Sequence, residues 1–408
     1  MKIEGLVLLL IVVAALATGG LIAKYKPRKS RKQDPEERFR GHYFRGLNYL
    51  LNEQQDKAID VFLRLAEVNQ DTVETHYALG NLFRRRGEVD RAIRCHQNII
   101  AKPGLTERQR TRALLELGED YMRAGLLDRA ERLFAELVEG DAHTPSALKH
   151  LLDIYQQEKD WHKAISIAKQ LAQTRQNGMG HIIANYYSIL AEESALQSDF
   201  DEAHAYLRQA RQYNSESVRS CLLEARMAEQ QEQFSDAADA YLQAYCFGND
   251  CLPEILPALL QNLEAAGRQA RIPEYLDQFI ADTHGITPVI ARTRLYKNEQ
   301  GLKVAAEFLV VFLRQHPSVQ GLAYLIDMNA TEQSNSLPVD GLLGGLSSTQ
   351  SADASSRDIL LELTHQLLKN QPVYRCKHCG FSGQQHQWQC PSCKRWDTTS
   401  RIRGVNGE

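Results

Sequence analysis

Four cysteines crowd the segment "YRCKHCGFSGQQHQWQCPSCKRW", residues 374–396, as the pairs Cys376-x-x-Cys379 and Cys390-x-x-Cys393 with ten residues between them. Each pair makes a tight turn whose two sulfurs converge on one ion. Two such turns complete a tetrahedral all-sulfur shell that suits Zn2+ or a single iron of rubredoxin type. Gly380 and Pro391 shape the turns, and Arg375, Lys377, Lys394 and Arg395 stand ready to offset the charge of four thiolates. His378 and His386 lie inside the segment and could replace a ligand, but four well-spaced cysteines make that unnecessary. A closed sulfur shell has no open coordination position, so a folding role is expected ahead of redox chemistry. So small a segment builds no core of its own, and the metal supplies its folding, about 10–16 kcal/mol for structural zinc. Trp388 and Trp396 are its few apolar residues and a candidate docking face.

The rest of the 408 residues holds no comparable chemistry. There is no H-E-x-x-H, no G-x-x-x-x-G-K-[ST] and no G-x-S-x-G, so an enzyme is not expected. His42, His76, His96, His181 and His204 are spread along helical pattern without i+3 or i+4 partners, which points to surface or core packing. Arg84, Arg85 and Arg86 are consecutive and read as a solvated helix face. Cys95, Cys221, Cys246 and Cys251 are scattered, which excludes a disulfide framework and fits buried thiols in a reducing compartment. A net charge of −3 gives no pull toward nucleic acid.

What must position the cysteine cluster is a repeat. "DKAIDVF", "DRAIRCH", "DRAERLF", "HKAISIA", "DEAHAYL" and "SDAADAY" share one register, with Ala58, Ala92, Ala130, Ala164, Ala203 and Ala237 spaced by 34, 38, 34, 39 and 34 residues. A 34-residue period is that of the tetratricopeptide repeat. Gly80 and Gly118 let the first helix of a pair approach the second. Phe83, Tyr121, Phe134 and Tyr155 fill the space between helices, and Gly87 and Gly125 end the first helix in a turn. The pattern weakens but stays in phase to Pro317, and "DPEE" marks its entry, with Asp34 as N-cap and Pro35 at the first helical position. About eight helix pairs over 36–317 and a further helix at 318–329 make a solenoid spanning 36–330, whose concave face suits peptides and proteins.

The flanks complete the architecture. Residues 5–23 are uncharged and mostly aliphatic, about 28 Å as a helix against the roughly 30 Å of a bilayer core. "KYKPRKSRK" follows at once, which places the bulk of the chain in the cytoplasm and the N-terminus outside. Residues 1–23 are thus expected to be an uncleaved anchor, and 24–35 a basic juxtamembrane segment. Residues 331–356 are Ser- and Gly-rich and read as a linker long enough to fold the C-terminus back on the repeats. Residues 357–371 form an amphipathic helix with Ile359, Leu360, Leu363 and Leu367 as its stripe, expected to dock on the last repeats and fix the metal domain, 372–408. The fold class is all-α: a tetratricopeptide-repeat superhelix with one transmembrane helix and a four-cysteine knuckle.

With the anchor, the repeats and "YRCKHCGF…WQCPSCKRW" together, the chain resembles the lipopolysaccharide assembly protein B family of Gram-negative bacteria along its whole length. The most specific piece is Cys-x-x-Cys-Gly-Phe followed by Trp-x-Cys-Pro-x-Cys. The resemblance places the metal ligands at Cys376, Cys379, Cys390 and Cys393, usually described as an iron site although the spacing equally suits zinc. It implies an inner-membrane adaptor without enzymatic activity. Its client would be the UDP-acyl-N-acetylglucosamine deacetylase that commits cells to lipid A synthesis, presented to the membrane protease FtsH to set lipopolysaccharide level. Other lipopolysaccharide assembly and inner-membrane proteins would be partners, one of them restraining it. The competing readings are a general tetratricopeptide envelope-assembly scaffold or co-chaperone, and a rubredoxin-like electron carrier.

Overall fold

Helix pairs form because each helix carries one apolar face and closes against the next through a residue too small to obstruct it. The computed structural model describes residues 35–68, 73–174, 178–330 and 371–408 except 406, with single helical positions between 359 and 369. The expected anchor (1–23), the basic segment up to residue 34 and the linker (331–356) lie outside the described residues. Among the described residues, no helix is long and apolar enough to cross a membrane.

The chain divides into two units, one ending at His150 and one running from Leu151 to Glu408. The first contains α1 (Pro35–Leu51), α2 (Gln55–Val68), α3 (Val73–Arg86), α4 (Val89–Ile100), α5 (Glu107–Arg123) and α6 (Leu127–Glu139), and the start of α7 (Thr144–Glu158). The second continues with α8 (Trp161–Gln173), α9 (Gly180–Leu196), α10 (Phe200–Tyr213), α11 (Val218–Gln230) and α12 (Phe234–Phe247). It goes on through α13 (Leu252–Ala265), α14 (Ile272–Thr283), α15 (Ile286–Gln300), α16 (Leu302–Gln315) and α17 (Val319–Ala330). Among the described residues these helices make eight pairs and one further helix. Helix α1 begins at Pro35, as the entry motif requires.

Two positional rules explain the pairing. Five residues before each register alanine the backbone turns left-handed: Glu53, Gly87, Gly125, Lys159, Ser198 and Glu232 have φ between 57° and 80°. There the chain closes a Schellman-type bond, as from Glu88 N–H to the Phe83 carbonyl at 2.9 Å and from Asp160 N–H to that of Tyr155 at 2.9 Å. Glycine occupies this position in only two of the six repeats, so the conformation belongs to the position rather than to the residue.

The second rule is compensation of size. All six register alanines are 0% exposed. A Cβ on Gly118 would meet the Phe134 ring at 2.6 Å, and one on Gly46 the Phe62 ring at 2.6 Å. In the fourth repeat the same two positions are Leu152 and Ala168, large first and small second; in the fifth and sixth they are Ala191 with Leu207 and Ala225 with Tyr241. The interior keeps its volume while individual residues change.

At this place in the second repeat stands His96, fully buried against Gly80, with Nδ1 2.5 Å from Asp120. It is a core histidine, as the sequence suggests. Arg84 departs from expectation. Its side chain is 17% exposed and pairs with Glu116 at 2.6 Å, Glu119 at 2.9 Å and Asp120 at 2.8 Å. Helix α5 places three carboxylates against α3, so Arg84 is drawn inward while Arg85 and Arg86 remain exposed. The thiols also differ from expectation. Of the four outside the cluster, Cys221 is buried, Cys95 and Cys251 are half-buried, and Cys246 is exposed; none is in a disulfide.

Candidate metal centre

The cluster is built from one turn used twice. Cys376 N–H donates to the Phe381 carbonyl at 2.7 Å and Gly380 N–H to that of Cys376 at 3.0 Å. Fourteen residues on, Cys390 N–H donates to Arg395 at 2.9 Å and Lys394 N–H to Cys390 at 2.9 Å. Gly380 (φ 78°) and Lys394 (φ 58°) are the matching left-handed residues. Strands β1 (Tyr374–Cys376), β2 (Ser382–Gly383) and β3 (Thr399–Arg401) form an antiparallel sheet in the order β2-β1-β3 that holds the first turn.

All four expected ligands come together, with their sulfurs within 4.8 Å of one another. Cys376 and Cys393 are 3.8 Å apart, and Cys379 and Cys390 3.6 Å. A metal with sulfur bonds of about 2.3 Å demands a tetrahedral edge of about 3.8 Å, so the donor set fits Zn2+ or iron in size and chemistry. The Thr398 hydroxyl and the backbone N–H groups of Cys379 and His378 hold the Cys376 thiol down to about 5. The Phe381 N–H lowers that of Cys379. At Cys393 the Arg395 N–H pulls the same way, but burial and the three other sulfurs prevail and push the thiol up to about 11. A bound cation would resolve that conflict, because thiols ligate a metal in their deprotonated form. His386 is no ligand: it sits edge-on between Tyr374, at 5.5 Å, and Trp388, at 4.5 Å. Lys377 turns toward Asp250 at 3.8 Å rather than toward the sulfurs.

The knuckle lies against the first helices of the pairs in its own unit. Trp396, 8% exposed, meets the Tyr186 ring edge-on at 5.6 Å and donates from Nε1 to Gln156 at 3.3 Å. Asn185 donates to Asp397 at 2.8 Å, and the Tyr374 hydroxyl donates to Glu254. Burial raises the pKa of both carboxylic acids. Trp388 packs on the core of α11 to α14, with the Arg219 guanidinium 5.7 Å from its ring. Beyond β3 the tail continues along the same face. Arg403 pairs with Asp250 at 2.7 Å, Val319 N–H donates to the Val405 carbonyl at 2.9 Å, and Glu408 accepts from the Thr287 N–H and hydroxyl at 2.9 and 2.7 Å.

Both tryptophans thus serve the docking role expected of them. The helix expected at 357–371 is described at single positions only up to residue 370. Its described positions are helical, but Ile359, Leu363 and Leu367 are 53%, 50% and 59% exposed, so these stripe residues face solvent while Thr364 is buried. The knuckle and tail carry their own docking residues. Sequence reasoning passed over Tyr374, Asp397 and Glu408 on the knuckle side and Gln156, Asn185, Arg219 and Glu254 on the repeats. None has a spacing signal, because each partner lies more than a hundred residues away.

A family model described as a rubredoxin metal binding domain matches residues 374–399, and tetratricopeptide repeat models match 75–108, 115–178 and 197–251. The chain is similar to lipopolysaccharide assembly protein B of Escherichia coli strain K12, at 31% identity over 98% of this chain and 99% of that protein. The protein of that name from Haemophilus influenzae is 29% identical over 98% of each chain. Among solved structures, the C-terminal part of a tetratricopeptide-repeat protein from Cytophaga hutchinsonii is similar at 11% identity with a TM-score of 0.36, covering 70% of this chain and 99% of that one.

Proposed function

The chain belongs to the lipopolysaccharide assembly protein B family, and from that premise we propose that it is a membrane-anchored adaptor that presents the deacetylase committing cells to lipid A synthesis to the protease FtsH. A role in lipopolysaccharide regulation through a tetratricopeptide-repeat scaffold comes with family membership. The client, the protease and the inner-membrane location, with residues 5–23 as the anchor, are the finer part of the proposal. So is the assignment of Cys376, Cys379, Cys390 and Cys393 as ligands of one iron or zinc.

One observation carries the reading. Every hydrogen bond and ion pair named above between the metal domain and the repeats falls on a first helix, the turn leading into one, or α17, from Gln156 to Val319. In a repeat protein that face is the binding surface. A metal-folded domain there is suited to holding a partner in a fixed frame. A second reading draws on Cys379, which is exposed at the edge of the cluster, as electron transfer requires. The absorption spectrum of purified protein separates metals: ferric sulfur ligation is coloured and zinc is silent. The adaptor reading is tested by crosslinking in membranes. Recovery of both FtsH and the deacetylase supports it; recovery of translocation factors without a protease supports the general scaffold.

A further inference from the structure

Between the knuckle and the first helices of its unit runs a cleft of about 490 Å³, with Asn185, Ser217 and Arg219 on one wall and Lys377 and Trp388 on the other. Two buried polar groups in the repeat wall are incomplete. Arg219 is 9% exposed; its Nη2 donates to Glu192 at 2.9 Å, while Nε has no partner. Asn185 is 5% exposed; its Nδ2 donates to the His181 carbonyl at 2.9 Å and to Asp397 at 2.8 Å, while Oδ1 accepts nothing. Buried polar atoms are nearly always paired, and leaving one unpaired is costly.

The same wall contains a helix start. Ser217 caps α11 by accepting from the Ser220 N–H at 3.2 Å, which leaves the N–H groups of Val218 and Arg219 without intrahelical acceptors. A helix N-terminus beside a guanidinium favours an anionic group. The acids nearby are already engaged: Asp250 with Arg403, Glu254 with Tyr374, Asp397 with Asn185; Glu216 is exposed at the rim.

The orphaned donor calls for a carboxylate or carbonyl oxygen, and the orphaned acceptor for an N–H. An extended peptide offers both within one residue; a phosphate offers no N–H to Asn185. We propose that this cleft binds an extended peptide segment bearing a carboxylate. The carboxylate lies on Arg219 and the start of α11, a backbone N–H on Asn185, and an apolar side chain on Trp388. The metal knuckle is then half of a peptide site as well as a folded appendage. Assigning the peptide to a client rests on the adaptor reading; the cleft's affinity does not.

The test uses the full-length, metal-loaded protein in detergent and four fluorescein-labelled pentapeptides of leucine alternating with glutamate or glutamine, each with a free or an amidated C-terminus. Anisotropy should show a carboxylate-bearing peptide binding at least roughly tenfold tighter than the amidated glutamine peptide, the gain expected of a charge-assisted bond. The glutamate amide and the glutamine free acid separate a side-chain carboxylate from a terminal one. Arg219→Gln should abolish the preference. Because that variant could loosen the knuckle, hydrogen exchange on the unmodified protein is the second measurement: bound peptide should protect the amides of residues 218–219. Equal affinity for all four peptides, protection confined to other repeats, or displacement by inorganic phosphate at low millimolar concentration would each overturn the proposal. None of these outcomes bears on whether FtsH and the deacetylase are recovered from membranes.

Discussion

Phe134 is fully buried against Gly118, in a position where the fourth repeat reverses the order of sizes with Leu152 and Ala168. Phe134→Ala should therefore cost about 3–5 kcal/mol. Adding Gly118→Leu, which copies the fourth repeat, should recover part of that loss, as read from urea midpoints of the full-length protein. Gly118→Leu alone should destabilise, because the Phe134 ring has nowhere to go. The charged cluster of the first unit gives a pH prediction. A hydrogen bond from His150 and the charge of Arg84 hold the Glu119 carboxyl below its ordinary value despite partial burial. A depressed folded pKa contributes stability that is present above the unfolded value of 4.5 and is lost as pH falls through the folded one. Glu119→Gln should flatten this part of the acid limb below about pH 4.5 and leave the neutral side parallel to the unmodified protein. At this scale the four cysteines were fully legible, since a Cys-x-x-Cys turn is local and its geometry follows from spacing. Arg84 was not, because its carboxylates lie 32 to 36 residues on, across a helix packing that the arginine run itself does not reveal.

The repeats are legible as elements because the same packing problem is solved each time with residues of recognisable size. The alanine register alone located six of the eight pairs, and it did so where glycine had been replaced by Glu53, Lys159, Ser198 or Glu232 in the left-handed turn. The helix near 359–369 shows where pattern runs out: amphipathicity says that a helix has an apolar face but not what covers it. The docked knuckle was expected from its tryptophans, yet its three-stranded sheet and the tail that reaches Thr287 were not, being short and free of periodicity. Two outcomes follow for these elements. Chelation of the metal should unfold the knuckle, shift Trp388 and Trp396 emission to longer wavelength, and leave most far-UV helical signal intact, since α1 to α17 contain no metal ligand. Trp396→Ala should weaken docking by about 3–5 kcal/mol, the range for emptying a buried aromatic site. Its sign would be faster hydrogen exchange in β1 and β3 while the metal stays bound.

For the molecule as a whole, the division of labour is between a repeat surface that holds and a metal-folded domain that occupies and shapes part of that surface. If residues 1–23 anchor the chain, tethering replaces a search through the cell volume by one confined to the membrane, a gain in effective concentration that needs no new contact. The most direct test is the half-life of the lipid A-committing deacetylase in cells whose only copy of this protein lacks residues 1–23. A half-life several-fold longer than with the full chain is expected, with the truncated protein still folded and metal-loaded. An unchanged half-life would contradict it.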